Sequence, residues 1–332
     1  MPKLRPPTPS LDIYTDNTPK GEDCIIRSLT GGSYIHIDAA GASFRYSLEA
    51  AKQGRKEPSP RPVALENLKA TYRTLGAWVA NEFGQRVIDH LDEHPNTPVQ
   101  ELYDNVATEI LKHMSNLGID YAEIPVWQRE AMSFTHVQLT DGKIHIHRVG
   151  DVACFIEHQN NKLTEMTSDP FHDIEGPYQK ERTDILSGTL GHATDSVEFF
   201  CQDYAGFEHE GIKWDGLVKN RIDMIYHRGK WAKIAGAFQA ILGAEDLWLP
   251  HISSNTFNTA EINRIVTSSD GVYQKGVGYG LIESPKDFLS ALGQAGSAIS
   301  TIAARIRTHE EEHRQDVYPD DMSLAVLTVK SR

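Results

Sequence analysis

Residues 132–156 read MSFTHVQLTDGKIHIHRVGDVACFI, with apolar and polar side chains alternating on either side of Asp141-Gly142. A period of two puts successive side chains on opposite faces of a strand, and Asp-Gly between two such runs is a strong hairpin signal. The stretch predicts a β-meander. A second pair of β-rich runs, CIIRSL (24–29) and SYIHID (33–38), flanks Gly31-Gly32 and predicts another hairpin, with Asp38 where its second strand stops.

Between these hairpins the apolar spacing changes to three and four. Phe44, Leu48 and Ala51 open a helical pattern, Pro58, Pro60 and Pro62 break it, and Leu65, Leu68, Tyr72, Leu75, Val79 and Phe83 restart it. Leu102, Val106, Ile110 and Leu111 mark a further helix after Pro98. Toward the C-terminus, EINRIVTSSDG (261–271) is a strand running into a turn, Pro285 to Arg307 reads as two helices, and MSLAVLTV (322–329) is a last strand. Strands and helices in this order predict an α+β sandwich and argue against a regular βαβ alternation. GVGYGL at Gly276 lacks the third glycine of a dinucleotide fingerprint, and neither a GxxxxGK[ST] loop nor a GxSxG elbow is present. Residues 1–10 hold four prolines and are expected to form a mobile arm. Residues 11–332 are then a single domain, with residues 170 to about 250, where no period dominates, as an insertion or flap.

Composition narrows the function. The chain has 332 residues, 33 Lys plus Arg against 46 Asp plus Glu, and a net charge of −13, so it offers no dense basic face to a nucleic-acid backbone. No window reaches the ~18 apolar residues of a membrane span, and three scattered cysteines suit a reducing compartment. A cytoplasmic protein with neither nucleic acid nor membrane as partner is expected.

Three constellations could carry chemistry. His309, Glu310, Glu311, Glu312 and His313 spell HExxH, which on a helix places two imidazoles one turn apart with a glutamate as base, the zinc-protease pattern; a solvated helix end is the stronger reading of three adjacent carboxylates. His145 and His147 share one strand face and could chelate a metal with His136, although half-exposed strand histidines are also ordinary. The third is a set of aspartates at strand ends: Asp38, Asp151, Asp270 and the pair Asp320-Asp321. Any one could be a turn former. Gathered on one edge of a sandwich, they would repel one another unless a hard cation such as Mg²⁺ or Mn²⁺ neutralised them.

GEDC at Gly21, IDAAGAS at Ile37, HRVGDVACFI at His147, SSDGVY at Ser268 and DDMSLAVL at Asp320 resemble, in order, the successive motifs of the metal-dependent protein phosphatases of the type-2C (PPM) kind. The resemblance runs from residue 21 to 328 and leaves residues 170–250 unaccounted for. It implies a β-sandwich with helices on both outer faces (α/β/β/α layers) and a hydrolase that removes phosphate from phosphoserine or phosphothreonine by a water bridging two Mg²⁺ or Mn²⁺ ions. Asp38 would bridge the two ions, the carbonyl of Ala39 would be a ligand, and Asp270 and Asp320 would complete one shell. Glu22 and Asp23 would act through water, and Asp151 would match the aspartate of a third, looser ion. A phosphoprotein, and with it a cognate Ser/Thr kinase, is the implied partner. Two departures stand out: Ala39 and Ala40 occupy positions of the family's DGxG, and Thr18 stands where a phosphate-gripping arginine is usual, leaving Lys20 or Arg27 as substitutes. A PPM-fold sensor or scaffold with a weak site is the alternative, and a zinc protease using His309, Glu310 and His313 the more distant one.

Overall fold

The computed structural model describes residues 9–16, 21–29, 32–40, 75–118, 130–140, 142–166, 206–207, 213–214, 240–293, 297–313 and 321–329. Most of the arm, the helical pattern from Phe44 to Tyr72, Asp320 and nearly all of 170–239 lie outside them.

Two antiparallel sheets, each carrying helices on its outer side, form the molecule. The five-stranded sheet has the order β1 (Ser10–Asp16), β13 (Met322–Thr328), β12 (Ile262–Ser268), β6 (Ala153–His158), β7 (Leu163–Glu165). The six-stranded sheet runs β11 (Ser253–Asn258), β5 (Lys143–Val149), β4 (Ala131–Thr140), β3 (Tyr34–Ala40), β2 (Cys24–Arg27), with β10 (Ala240–Ile241) also on β4. A separate parallel pair, β8 (Gly206–Phe207) and β9 (Lys213–Trp214), completes the described strands.

The period of two decides which layer each side chain joins. On β3, Ile35 and Ile37 face α1 (Leu75–Glu93) and α2 (Val99–Asn116), where Phe83, Tyr103 and Phe134 build an aromatic core. Tyr34, on the opposite face, packs between the sheets with Val137, Ile146, Ile156, Ile265 and Leu327. Phe155, Val266 and Leu324 bury the outer face of the five-stranded sheet under α4 (Tyr273–Gly278), α5 (Pro285–Leu292) and α6 (Ser297–His313). Burying one such aromatic or aliphatic side chain contributes about 1.5–3 kcal/mol, and the three apolar layers share that contribution between both sheets.

The predicted hairpins form as β2–β3 and β4–β5. The expected meander does not continue, because β6 leaves β5 and pairs with β12 in the other sheet. Gly150 makes that departure possible. Its φ is +80°, and a Cβ there would lie 2.1 Å from Ser133 Oγ, so only glycine lets the chain turn this close to β4. Residues 240–250 are built into the first core: β10 pairs with β4, and Trp248 of the short helix α3 (Glu245–Trp248) is fully buried against Phe83, Tyr103 and Phe134.

The helix bearing HEEEH is not wholly solvated. Glu311 and Glu312 are exposed, but Glu310 is buried, where Lys275 Nζ (2.8 Å) and Arg307 (3.0 Å) clamp its two carboxylate oxygens. It faces inward because α6 packs its Ile302–Ile306 stripe on the sheet, and residue 310 falls on that stripe one turn further on.

Candidate functional site

Strand register brings the acidic residues to one end of the sandwich. Cys24 lies opposite Ile37 and Ser133 opposite Asp38, so Asp23 and Asp38 reach the same end of the six-stranded sheet. Val149 opposite Phe134 brings the Gly150-Asp151 turn there too. In the other sheet, Ser268 lies opposite both Ala153 and Leu324, so the Asp270 turn and Asp321 emerge at that end as well.

Hydrogen bonds join the two sheets at this point. The Glu22 backbone N–H donates to Asp321 Oδ2 at 2.7 Å, and Ser323 Oγ donates to Asp23 Oδ2 at 2.7 Å. With its one proton given to Asp23, Ser323 Oγ accepts from His36 Nε2 at 2.7 Å, which leaves His36 Nδ1 to accept from Thr267 Oγ1 at 2.9 Å. His36 is fully buried, and burial lowers its pKa to about 3, which keeps the imidazole neutral. Gly271 supplies a further contact: a Cβ there would lie 2.0 Å from the Asp321 carbonyl oxygen, so the Asp270 turn rests directly on the Asp321 backbone.

The carboxylates fall into two sets. Glu22, Asp23 and Asp321 are buried, whereas Asp38, Asp151 and Asp270 are half-buried at the rim. Cys24 lies among them, and burial, followed by the charges of Asp23 and Asp38, pushes its thiol pKa up. Cys154 is raised to about 12 by burial, with Arg148 partly opposing. Neither is a thiolate nucleophile at neutral pH.

Of the residues expected from sequence, Glu22, Asp23, Asp38, Ala39, Asp151 and Asp270 are all at this end; Asp320 lies outside the described residues, and its neighbour Asp321 is the one seen crossing between sheets. Arg27 is not at the site. It pairs with Tyr34 at the opposite end of β2, roughly 10 Å along the strand from Cys24. Arg148 did not stand out in the sequence: its buried guanidinium donates to the carbonyl of Val152 (3.0 Å) beside Asp151, while its Nε has no hydrogen-bond partner. Nor did His36, Ser323 and Thr267 stand out. The one signal for these was a polar residue at an inward position of an otherwise apolar alternation.

The donor chemistry fits a hard divalent cation: carboxylate oxygens and one strand-end carbonyl, with the hydroxyl of Ser133 buried and without a hydrogen-bond partner next to Asp38. Among the described residues, no three His, Cys, Asp or Glu side chains stand close enough together to hold one ion.

No protein-family model and no curated relative matches the chain. Solved structures of similar overall arrangement include the serine/threonine phosphatase Stp1 from Staphylococcus aureus (9 % identity, TM-score 0.46, covering 98 % of this chain and 97 % of that one). The serine/threonine phosphatase PstP/Ppp of Mycobacterium tuberculosis (13 %, 0.46, 97 % and 99 %) and PppA of Pseudomonas aeruginosa (10 %, 0.49, 97 % and 98 %) are similar in the same way. At such identities and TM-scores, function has to be read from this chain's own residues.

Proposed function

We propose that the chain is a metal-dependent phosphatase of the type-2C kind, acting on phosphoserine and phosphothreonine in proteins. The observation that carries this reading is the convergence of Glu22, Asp23 and Asp38 from one sheet with Asp270 and Asp321 from the other, tied by the bond from Glu22 N to Asp321. Asp38, the Ala39 carbonyl, Asp270 and Asp320 would hold two Mg²⁺ or Mn²⁺ ions, Glu22 and Asp23 would support them through water, and Asp151 would serve a third. Ions held there would supply Lewis acidity toward phosphoryl oxygens and lower the pKa of water.

The protein's own share is positional. The Asp23–Ser323–His36–Thr267 chain spans both sheets and holds the two halves of the acidic set in one register. Gly271 seats Asp270 against Asp321. Raised thiol pKa values at Cys24 and Cys154 disfavour a covalent cysteine route. Clamping of Glu310 by Lys275 and Arg307, and stacking of His309 on Tyr279 at 4.5 Å, oppose the zinc-protease reading, because the would-be base is already ion-paired. A Ser/Thr kinase is the class of enzyme that makes the substrate. Among the described residues, no helix is long and apolar enough to cross a membrane.

The test is release of phosphate from a phosphothreonine peptide with Mn²⁺, Mg²⁺ or Zn²⁺ and with chelator. Turnover with Mn²⁺ or Mg²⁺ that stops in chelator is expected. Metal binding without turnover would identify a sensor or scaffold, and peptide-bond cleavage dependent on Zn²⁺ would restore the protease.

A further inference from the structure

A second cluster lies away from the acidic end, on the helix-facing side of the six-stranded sheet. His136 on β4 lies directly opposite His147 on β5, and His145 lies opposite Gln138. All three histidines line an open pocket of about 260 Å³, together with Pro95, Thr97 and Leu102.

The three imidazoles are not equivalent. His145 has both nitrogens engaged, Nδ1 with Thr256 Oγ1 and Nε2 with Thr140 Oγ1, each at 3.0 Å. His147 uses only Nδ1, on Ser254 Oγ at 2.9 Å, and His136 only Nδ1, on the Tyr103 hydroxyl at 2.9 Å. His136 is fully buried, and its Nε2 has no hydrogen-bond partner. A buried polar atom is costly to leave unsatisfied, so a ligand in the cavity that engages Nε2 would relieve that cost. The two ring centres are 5.7 Å apart. Imidazole nitrogens bound about 2 Å from one ion hold their ring centres roughly 5–6 Å apart, so the pair is already at chelating distance.

We propose that Nε2 of His136 and Nε2 of His147 bind one divalent transition-metal ion of the imidazole-seeking class, Zn²⁺ or Cu²⁺, at the wall of this cavity. Among the described residues no third His, Cys, Asp or Glu joins them, so the remaining positions go to water or a small ligand in the cavity, an open coordination sphere. An ion on Nε2 selects the tautomer with the proton on Nδ1, and the contacts of Nδ1 to the Tyr103 and Ser254 oxygens then fix the two rings, the usual orienting device around metal-bound histidine. Burial first, and then the neighbouring histidines, hold both rings neutral, with His147 lowered to about 4, so the lone pairs are available at neutral pH. This site is independent of the phosphatase reading, since hard Mg²⁺ takes oxygen ligands and passes over imidazole.

Cu²⁺ is the probe, titrated into the full chain in excess Mg²⁺ and read by electron paramagnetic resonance. His94→Gln and His309→Gln are introduced throughout, to remove the two histidine pairs spaced four apart, His90 with His94 at the end of α1 and His309 with His313 on α6. One tight Cu²⁺ with hyperfine coupling to two imidazole nitrogens is expected. His147→Gln, at a half-exposed position that tolerates change, and His136→Gln should each weaken it roughly tenfold or more, while His145→Gln leaves it unchanged. Absence of nitrogen coupling in the parent, unchanged binding in His147→Gln, or equal loss in His145→Gln would overturn the assignment.

Discussion

Asp270 owes its place to the residue that follows it. The Asp321 carbonyl fills the space a Cβ on Gly271 would need, and the clash is with backbone, which cannot rotate away. Gly271→Ala should therefore push the Asp270 turn off Asp321, lower stability by about 1–3 kcal/mol in urea unfolding, and remove Mn²⁺-dependent hydrolysis. Gly278→Ala is the control: nothing lies within 4 Å of its Cβ, so stability should shift by less than ~1 kcal/mol and activity should persist. At this scale the sequence was readable wherever chemistry and turn coincide. Asp151 and Asp270 each follow a strand end, as a linear pattern shows, whereas Asp38, expected where its strand stops, lies inside β3, which keeps pairing with β4 as far as Ala40. Arg148 and His36 were not readable, because an inward polar residue in an alternating strand looks the same as one whose partner is water. Only the facing sheet supplies Thr267 and Ser323.

Helix α6 illustrates the same limit for an element. That a helix runs as far as Arg307 was legible, but whether Glu310 met solvent depended on Lys275 from α4 and Arg307, which also reaches back to Asp16 on β1 at 3.0 Å. Burial raises the Glu310 pKa, but hydrogen bonds and charge from Lys275 and Arg307 outweigh it, and the net shift is downward. A carboxyl whose folded pKa is depressed contributes stability that is present above its unfolded pKa and lost as pH falls through the folded one. Glu310→Gln should accordingly destabilise the protein by about 2 kcal/mol near pH 7, with the difference from the parent shrinking in acid; urea midpoints at both pH values check this. A uniform loss at all pH values would mean Glu310 acts through packing and not charge. The edge strands β1 and β11 escaped sequence reading for a related reason: SLDIYTD and SSNTFN carry few apolar side chains, since each has only one neighbouring strand.

Across the whole molecule, neither sheet holds the acidic set alone. The six-stranded sheet contributes Glu22, Asp23, Asp38 and Asp151, the five-stranded one Asp270 and Asp321, and the apolar layer between them sets the register in which they meet. The sandwich was legible from hairpin signals and helical spacings, whereas the crossing of β6 into the second sheet was not, because a period of two says nothing about which sheet a strand joins. As proposed above, this junction would be a hydrolytic metal site with Asp38 at its centre. Its most direct test is the rate of phosphate release from a phosphothreonine peptide in saturating Mn²⁺, compared between the parent chain and a folded Asp38→Asn variant of equal volume and one less charge. Turnover by the parent and a fall of roughly 100-fold or more in the variant, on the order of 3 kcal/mol of barrier, are expected; equal rates in the two proteins would remove Asp38 from the site.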